Sequence, residues 1–334
     1  MDLKKKIIDF CKSIGIDKIG FVKCERFYEL EEYFKYKKSK DLLNDFEEDT
    51  IENRVNPKLI MPQGKTIISI ALPYMTENIE KQEQYFSSYA LGEDYHNVVN
   101  LYLEKIATFI EKLGGITETF VDNNPLPERY IAMKAGIGFI GKNNCLITEE
   151  YGSYVFLGEI ITDLEVEEST PKESKCGNCN KCIDICPTKA ILSIDTNKNI
   201  KGIENNSNIC LSYVTQKKNL EDFWFKKFEG RIWGCDKCQD ICPFNKNVQN
   251  SRIVEFQPKE YMKNPNLEEI IQLDNKTFKE KYKITSCGWR GKNILIRNSL
   301  ISYYNLNGYI PKLEDIGSPY IKEYYERIMK RMKE

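Results

Sequence analysis

The sequence CGNCNKCIDICP occupies residues 176–187 and carries four cysteines with the spacing C-x2-C-x2-C-x3-C-P. This spacing is typical of bacterial [4Fe–4S] proteins, in which three thiolates hold one cluster and the fourth holds the other. A second copy, CDKCQDICP, occupies residues 235–243, and Cys210 lies upstream of it. The doubled motif predicts two [4Fe–4S] clusters in one segment, and therefore a path for electrons.

The spacing predicts crosswise ligation, because the last cysteine of each motif binds the cluster of the other motif. The ligands of the first cluster are then Cys176, Cys179, Cys182 and Cys242. Those of the second cluster are Cys186, Cys210, Cys235 and Cys238. We expect a helix to begin at Pro187. A pair of zinc sites is the alternative, but four cysteines within eleven residues suit a zinc ribbon poorly.

The remaining composition limits the kinds of site and the compartment. The single histidine, His96, excludes zinc and di-iron sites that need several histidines. No apolar stretch approaches the roughly 20 residues of a membrane helix, and the N-terminus lacks a signal sequence, so we expect a cytoplasmic protein without a membrane segment. Twelve cysteines in that reducing compartment favour metal over disulfides. The four without a motif are expected to be buried structural thiols: Cys11, Cys24, Cys145 and Cys287.

Charge is distributed unevenly along a chain whose net charge is only −1. Residues 275–334 carry 13 Lys or Arg against 6 Asp or Glu, a net charge of +7. With Trp289 and several tyrosines available for stacking, this segment suits RNA phosphates and an unstacked base. Its candidate contacts are Lys279, Lys281, Lys283, Arg290, Lys292 and Arg297.

Hydrophobic periodicity predicts helices and strands that alternate through the first half of the chain. The predicted helices are residues 3–14, 28–49, 98–113, 127–135, 293–304 and 320–332. The predicted strands are residues 18–22, 65–73, 118–121 and 154–161. The pattern favours an α/β or α+β domain up to about residue 164. We predict an α+β fold in three domains, with boundaries 1–165, 166–250 and 251–334. Residues 197–208 are rich in Asn and Lys and are expected to form a surface insertion.

Several further motifs occur in a fixed order around the cysteines. They are RVNPK at 54–58, GEDYH at 92–96, VDNNPLPER at 121–129, AGIGFIGKN at 135–143, GSYVFLGEIIT at 152–162, WRG at 289–291 and IRN at 296–298. In this order, from about residue 3 to about residue 306, the chain resembles the epoxyqueuosine reductase family. Members of that family are cobalamin- and [4Fe–4S]-dependent enzymes of tRNA modification.

The resemblance implies a nitroreductase-like α/β domain that binds base-off cobalamin, followed by a ferredoxin-like domain with the two clusters. The basic C-terminal region is then a short, truncated HEAT-like helical segment that contacts tRNA. The implied reaction reduces the epoxide of epoxyqueuosine at the tRNA wobble position to queuosine, using Co(I) cobalamin that receives electrons through the clusters. An external donor such as flavodoxin or ferredoxin, and a monomeric state, are expected.

The resemblance also implies roles for individual residues. Asp122 matches the proton donor of the family. The cofactor-binding positions are Arg54, Ser87, Asp122, Lys142, Leu146, Leu157, Ser212 and Asp236. Ser87 stands where some members have a cysteine, and Asn143 is a weaker candidate beside Lys142.

Two other functions remain open from the residues alone. A reductive dehalogenase would use the same cobalt and cluster chemistry, and a ferredoxin-like electron carrier would have no substrate of its own. His96 follows Asp94 in the spacing of a cobalt-binding histidine but lacks the glycine that completes that motif, so a hydrogen bond is the preferred interpretation. The glycines of AGIGFIGKN follow a helix instead of a strand, which favours close approach to the corrin ring over dinucleotide binding.

Overall fold

The computed structural model of the chain describes residues 2–77, 82–192, 205–313 and 316–333. Within these ranges the strands are β1 Lys18–Lys23, β2 Thr66–Pro73, β3 Tyr85–Phe86, β4 Thr117–Phe120, β5 Phe139–Ile140, β6 Leu146–Ile147, β7 Val155–Thr162 and β8 Arg231–Trp233. The α-helices in the same ranges are α1 Leu3–Ser13, α2 Tyr28–Ser39, α3 Ile51–Val55, α4 Tyr95–Lys112, α5 Glu128–Lys134, α6 Lys181–Ile185, α7 Leu211–Val214, α8 Phe225–Phe228, α9 Lys237–Asp240, α10 Glu260–Lys263, α11 Leu267–Ile271, α12 Asn275–Thr277, α13 Lys292–Asn307 and α14 Pro319–Arg331. None of the described helices could span a membrane.

The chain forms two compact units, each built from several segments. The first unit comprises Met1–Met75, His96–Asn208 and Cys238–Ser251. The second comprises Thr76–Tyr95, Ile209–Lys237 and Arg252–Glu334. The division into three consecutive domains stays a prediction.

The first unit is organised by an antiparallel sheet of order β1-β2-β7-β4. All eight residues of β2 (TIISIALP) are buried, as expected for an apolar, β-branched central strand. β7 lies between β2 and β4, and its register pairs Glu159 with Ser69 on one side and with Phe120 on the other. A carboxyl group is therefore placed in the middle of an otherwise apolar sheet. The antiparallel pairing and the surrounding helices form the expected mixed helix and strand fold.

The helix α5 packs on this sheet and directly follows the loop that leaves β4. Ile131 and Ala132 of α5 join a core cluster with Leu126, Ile67 and Ile161. The helix stops where Gly136 adopts a positive φ of 73°, a conformation that glycine adopts without a steric cost. Since β4 ends at Phe120 and α5 begins at Glu128, residues 121–127 connect the sheet to the helix.

The second unit surrounds the helix α13. Ten consecutive residues of α13, from Ile294 to Tyr303, are buried, and the helix packs against α8, α11, α14 and β8. β3 and β8 form a short parallel pair in the same unit. A helix buried on all sides needs apolar or internally bonded residues on every face. The IRN motif at 296–298 lies within this buried stretch.

Most predicted elements are confirmed, and two differ. The helix predicted for residues 28–49 ends at Ser39, because Asp41 adopts a left-handed φ of 53°. No helix begins at Pro187, since the chain turns back and Ala190 N donates to Cys186 Sγ at 3.2 Å. Most of the predicted insertion at 197–208 lies outside the described residues; Ser207 and Asn208 bond to the backbone oxygens of Leu42 and Asp41.

Candidate active site

Four cysteine thiols of the first unit line one small cavity. They are the predicted ligands of the first cluster, Cys176, Cys179, Cys182 and Cys242. Phe139, Ile147 and Phe244 pack around Cys242 and Cys176, so the cavity has an apolar wall. Across the described part of the chain, no three Cys, His, Asp or Glu side chains converge closely enough for a single metal ion. Thiols spread around a cavity fit a four-cornered cluster better than a lone zinc ion.

The same cavity offers hydrogen-bond donors to sulfur. The backbone N of Lys142 donates to Cys176 Sγ at 3.4 Å. The Nδ2 of Asn143 lines the cavity, is buried and has no partner among the described residues. Donors of this kind stabilise cluster sulfurs and tune the reduction potential of the cluster. The residues present therefore fit an iron–sulfur cluster.

Burial and the neighbouring thiols oppose ionisation of Cys182 and Cys242 when no metal is bound. Burial raises the pKa of Cys182 to about 11, and the neighbouring Cys176 and Cys242 add to the effect. Burial also raises the pKa of Cys242, with a smaller contribution from Cys145. Cys145 is only half-buried and lies near these thiols, whereas Cys11, Cys24 and Cys287 are buried as expected.

The predicted ligands of the second cluster belong to both units. Cys186 and Cys238 lie in the first unit, and Cys210 and Cys235 in the second. Burial opposes ionisation of Cys186, but hydrogen bonds from the backbone of Ile191 and Thr188 outweigh it and lower the thiol pKa. The crosswise set for the second cluster stays a prediction.

A buried cation lies beside one of these ligands. Arg231 of β8 is 0% exposed, and its Nη1 donates to the carbonyl oxygens of Lys227 and Phe228. Its Nη1 also forms an ion pair with Glu229 Oε2 at 2.9 Å, and its Nε and Nη2 are buried beside the Cys235 thiol. Burial raises the pKa of Cys235, and the Arg231 charge opposes this increase. A fixed positive charge at a cluster ligand stabilises the reduced, more negative state of the cluster. Sequence reasoning did not identify this residue.

A much larger cavity, of about 1220 Å³, lies within the first unit. It exceeds the ~300–1,000 Å³ of typical small-molecule pockets and is large enough for a bulky cofactor. Three residues that the resemblance assigned to the cofactor line it, namely Arg54, Asp122 and Lys142. Cys176 also lines it, so this thiol belongs to the walls of both cavities.

One end of the large cavity holds a charged group that sequence reasoning missed. Glu47 accepts from Lys37 Nζ at 3.2 Å and from Arg54 Nη1 at 3.1 Å. Although burial opposes ionisation, Lys37, Ser207 and Arg54 together lower the pKa of Glu47 to about 2. The Nε of Arg54 is buried without a partner among the described residues, and this spare donor fits a polar group of a bound molecule.

Asp122 projects into the same cavity from the loop between β4 and α5. Its carboxyl group is 49% exposed, and its Oδ2 lies 3.3 Å from His96 Nε2. The same Nε2 lies 3.5 Å from Asn123 Nδ2, so His96 contacts this loop at two points, and its role as a hydrogen-bonding residue stays a prediction. The backbone of Asp122 has a φ of 51°, in the left-handed region that residues other than glycine rarely adopt.

Two further carboxyl groups lie behind Asp122, and sequence reasoning gave them no role. Glu128 Oε1 accepts from the backbone N of Asp122 at 2.7 Å and from Asn124 Nδ2 at 2.9 Å. Glu159 is 0% exposed and accepts from Ser69 Oγ at 3.2 Å. Glu159 could have been suspected from sequence, because it is a charged residue within a predicted apolar strand.

The remaining cofactor positions lie in other surroundings. Leu146 is buried in the core cluster, and Leu157 packs against that cluster. In the second unit, Asp236 is 1% exposed and accepts hydrogen bonds from Ser87 Oγ and from Ser88 N, the latter at 2.7 Å. The Ser212 carbonyl accepts from Gln216 Nε2 at 2.9 Å. Cofactor contact by these residues stays a prediction.

The glycines of AGIGFIGKN lie close to other parts of the protein. A Cβ atom at Gly138 would lie 2.4 Å from the carbonyl oxygen of Ile147. At Gly136 it would lie 2.5 Å from the carbonyl oxygen of Thr170, and at Gly141 2.4 Å from Ile147 Cδ1. Backbone contacts within the protein thus account for Gly136 and Gly138, and approach of this segment to a corrin ring stays a prediction.

The basic segment of the second unit divides into exposed and buried residues. Lys279, Lys281 and Lys283 are exposed, and Arg290 lies over the Trp289 ring at 4.0 Å. The prediction that Arg297 contacts RNA is wrong, because this side chain is 0% exposed. Its guanidinium donates to Thr215 O at 3.0 Å and to the carbonyls of Lys217 and Lys218, so it stabilises the core around α13 and is not available to RNA.

Comparisons with protein families match two parts of the chain. Residues 54–123 match the family described as "Epoxyqueuosine reductase QueG, DUF1730". Residues 175–245 match the family described as "4Fe-4S double cluster binding domain". The second match covers the predicted cluster segment.

Similar proteins of known name and structure extend the likeness to nearly the whole chain. The epoxyqueuosine reductase of Lactococcus garvieae is 36% identical over 96% of this chain and 93% of its own length. The Bacillus subtilis enzyme is 37% identical over 90% of this chain and 78% of its own.

Two solved structures are also similar. A crystal structure of epoxyqueuosine reductase with an epoxyqueuosine-modified tRNA-Tyr stem loop superposes with a TM-score of 0.90 at 34% identity, covering 99% of this chain and 90% of that one. The Streptococcus thermophilus enzyme has a TM-score of 0.85 at 32% identity, with both chains fully covered. This protein therefore belongs to the epoxyqueuosine reductase family.

Proposed function

We propose that this protein reduces the epoxide of epoxyqueuosine in tRNA to the alkene of queuosine. The reaction consumes two electrons and two protons and releases one molecule of water. The observation that carries this function is the position of Cys176 on the walls of both cavities. A cluster bound by Cys176 would border the large cavity into which Asp122 projects, so a source of electrons and a source of protons would face the same space.

The large cavity would hold base-off cobalamin, with Arg54, Asp122 and Lys142 in contact with it. When bound, this cofactor supplies the two reducing equivalents that the epoxide requires. Arg54 is held by Glu47, which leaves its Nε to bind a polar group of the cofactor. The apolar side chains of Leu126, Met133 and Ile140 line the cavity and exclude water from it.

Asp122 would act as the general acid. Opening the epoxide places negative charge on its oxygen, and a carboxyl group in hydrogen-bond reach can protonate that oxygen. His96, at 3.3 Å from Asp122 Oδ2, holds the carboxyl group in one orientation. A second proton converts the released hydroxide to water.

The finer features that the resemblance implies belong to the same proposal. They are a nitroreductase-like first domain, a ferredoxin-like cluster domain, a truncated HEAT-like C-terminal region, crosswise ligation of two clusters, a monomeric state, and flavodoxin or ferredoxin as electron donor. The exposed lysines Lys279, Lys281 and Lys283 would contact tRNA phosphates. Ser87, Leu146, Leu157, Ser212 and Asp236 would complete the cofactor site.

The test is an anaerobic assay of the reconstituted protein. Iron, sulfide, cobalamin, a strong reductant and epoxyqueuosine-bearing tRNA are combined, and the digested nucleosides are measured by mass spectrometry. We expect a cobalamin-dependent loss of one oxygen from epoxyqueuosine. Cofactors bound without that loss would contradict the substrate and leave another reductase, such as a dehalogenase. Failure to bind cobalamin would contradict the cofactor and favour an electron carrier.

A further inference from the structure

The Asp122 turn is held together by one oxygen atom of Glu128. Glu128 Oε1 accepts from the backbone N of Asp122 at 2.7 Å and from Asn124 Nδ2 at 2.9 Å. The same Nδ2 donates to the backbone oxygen of Asp122 at 2.7 Å. The carboxyl group of Glu128 therefore binds both sides of the turn that carries Asp122.

The backbone of this turn needs such support. The φ of 51° at Asp122 is disfavoured for a residue with a Cβ atom, although aspartate tolerates it better than most. Such a conformation persists only where surrounding bonds hold it. Without the bond to Glu128, Asp122 N would lose its partner and the turn could relax, which would move the Asp122 side chain.

Glu159 lies on the sheet beneath Glu128. It occupies β7 between Ser69 of β2 and Phe120 of β4, and α5 packs on the same strands. Its Oε1 accepts from Ser69, while its Oε2 is buried and receives no donor from any described residue. Burial, followed by the charge of Glu128, raises the pKa of Glu159 well above its ordinary value. Glu159 therefore holds its proton more firmly than an ordinary carboxyl group, and in the protonated form it can donate a hydrogen bond to Glu128.

The ionisation of Glu128 falls near neutral pH. Burial and then the charge of Asp122 raise the pKa of Glu128 to about 7, while the hydrogen bonds from Asn124 and Asp122 and the Arg129 cation oppose the increase. From α4, His96 faces Asp122 and modulates that charge. Glu128 therefore accepts the two N–H bonds most strongly above pH 7, when it is a carboxylate.

We propose that Glu128 is a positioning residue for Asp122: its carboxylate holds the Asp122 backbone in the left-handed conformation, and Glu159 on the sheet lies next to it. This role rests on the proposed function of Asp122 as the acid. Glu128 also lines the large cavity, and its role in this scheme is to hold the Asp122 turn. It acts through the direction in which Asp122 points, and so it controls turnover and not substrate binding.

The test compares the wild type with three variants in the loaded enzyme across pH 5.5–9, with kcat and KM measured separately. In the wild type, we expect the ionisation of Glu128 to raise kcat with pH through about 7, on top of the pH dependence that the acid Asp122 adds in every variant that keeps it. Glu128→Gln keeps an acceptor oxygen but not the charge, so kcat should fall about tenfold, KM for tRNA should stay within about twofold, and the rise should disappear. Glu159→Gln still donates to Glu128 and should keep the rise near its original pH. Glu159→Leu cannot donate, and the rise should move to higher pH.

A control variant and a hydrogen-exchange experiment separate the positioning role of Glu128 from a general loss of stability. Glu118→Gln removes an exposed carboxyl from β4 and should match the wild type. In the cofactor-free protein, hydrogen exchange in peptides that cover residues 119–127 should be about tenfold faster for Glu128→Ala than for the wild type, because the Asp122 N–H loses its acceptor.

Wild-type kcat and an unchanged pH profile in Glu128→Gln would overturn the positioning role, as would a change confined to KM. Unchanged exchange in Glu128→Ala would also overturn it. Asp122→Asn is measured in parallel: if that variant is fully active, the acid role of Asp122 fails. If Asp122→Asn is inactive while Glu128→Gln behaves like the wild type, only the role of Glu128 fails.

Discussion

His96 Nε2 lies 3.3 Å from Asp122 Oδ2, so the single histidine of the chain is paired with the candidate acid. His96 lies in the first turn of the long helix α4, whereas Asp122 lies in the loop after β4. The two are 26 residues apart in sequence and meet because the sheet and the helix converge at this loop. This pairing gives His96 a role as partner of a carboxyl group.

Replacing Asp122 by Asn is expected to abolish turnover and leave the cofactors in place. An amide cannot donate a proton to the epoxide oxygen, and loss of a general acid reduces kcat by roughly 10²- to 10⁴-fold. Single-turnover assays on tRNA, with iron and cobalt content measured on the same samples, would check this. Full activity in Asp122→Asn would remove Asp122 from its role, and loss of cobalt would make it a binding residue.

Pairs of cysteine substitutions distinguish which thiols share a cluster. Cys242→Ala is expected to lose one cluster, so that iron falls from about eight atoms per chain to about four. Adding Cys176→Ala should cause no further loss, because both thiols line the same cavity. Adding Cys186→Ala should remove the remaining iron.

Iron analysis and low-temperature EPR of the reduced proteins would measure these losses. Cys11→Ala is the matched control, since that thiol is buried in the core and has no motif. Loss of all iron in the Cys176/Cys242 double variant would contradict the assignment of both thiols to one cluster.

Replacing Arg231 by Gln is expected to lower the reduction potential of the second cluster. The variant removes a buried positive charge near Cys235, so the reduced cluster loses stabilisation. A shift of about 60 mV corresponds to a tenfold change for a one-electron couple and sets the scale. Arg231→Lys keeps the charge and should shift the potential less. A redox titration followed by EPR measures both, and an unchanged potential in Arg231→Gln would mean that the arginine is only structural.

Replacing Glu47 by Gln is expected to destabilise the first unit at neutral pH. The variant leaves Lys37 and Arg54 buried without their shared carboxylate, which costs about 3 kcal/mol. Because the pKa of Glu47 is lowered from 4.5 to about 2, its contribution is present above pH 4.5 and is lost as pH falls toward 2. Urea unfolding at pH 7 and pH 3 should therefore show a smaller difference between variant and wild type at pH 3. An equal difference at both pH values would mean that the charge of Glu47 does not stabilise the fold.

Local sequence was enough to predict the motifs and most of the elements. The strands β2 and β7 and the helices α4, α13 and α14 follow from hydrophobic periodicity, because each is long and its pattern is dominated by burial on the sheet or in the core. The early end of α2 could not be predicted, since the backbone at Asp41 and Leu42 that follows it bonds to the distant Asn208 and Ser207. Arg297 was predicted as an RNA contact because sequence shows the charge of a side chain but not its burial.

The sequence by itself determined the chemistry that this protein can contain. The spacing of eight cysteines predicts iron–sulfur clusters, because ligand spacing along the chain is a local property. Only the tertiary structure decided which groups meet: Cys176 on the walls of both cavities, His96 beside Asp122, and Glu128 between Asp122 and the buried Glu159. These relationships depend on the register of β7 with β2 and β4 and on the packing of α5. Contacts between distant segments set burial and charge proximity, and these two quantities determine how strongly a carboxyl group holds its proton.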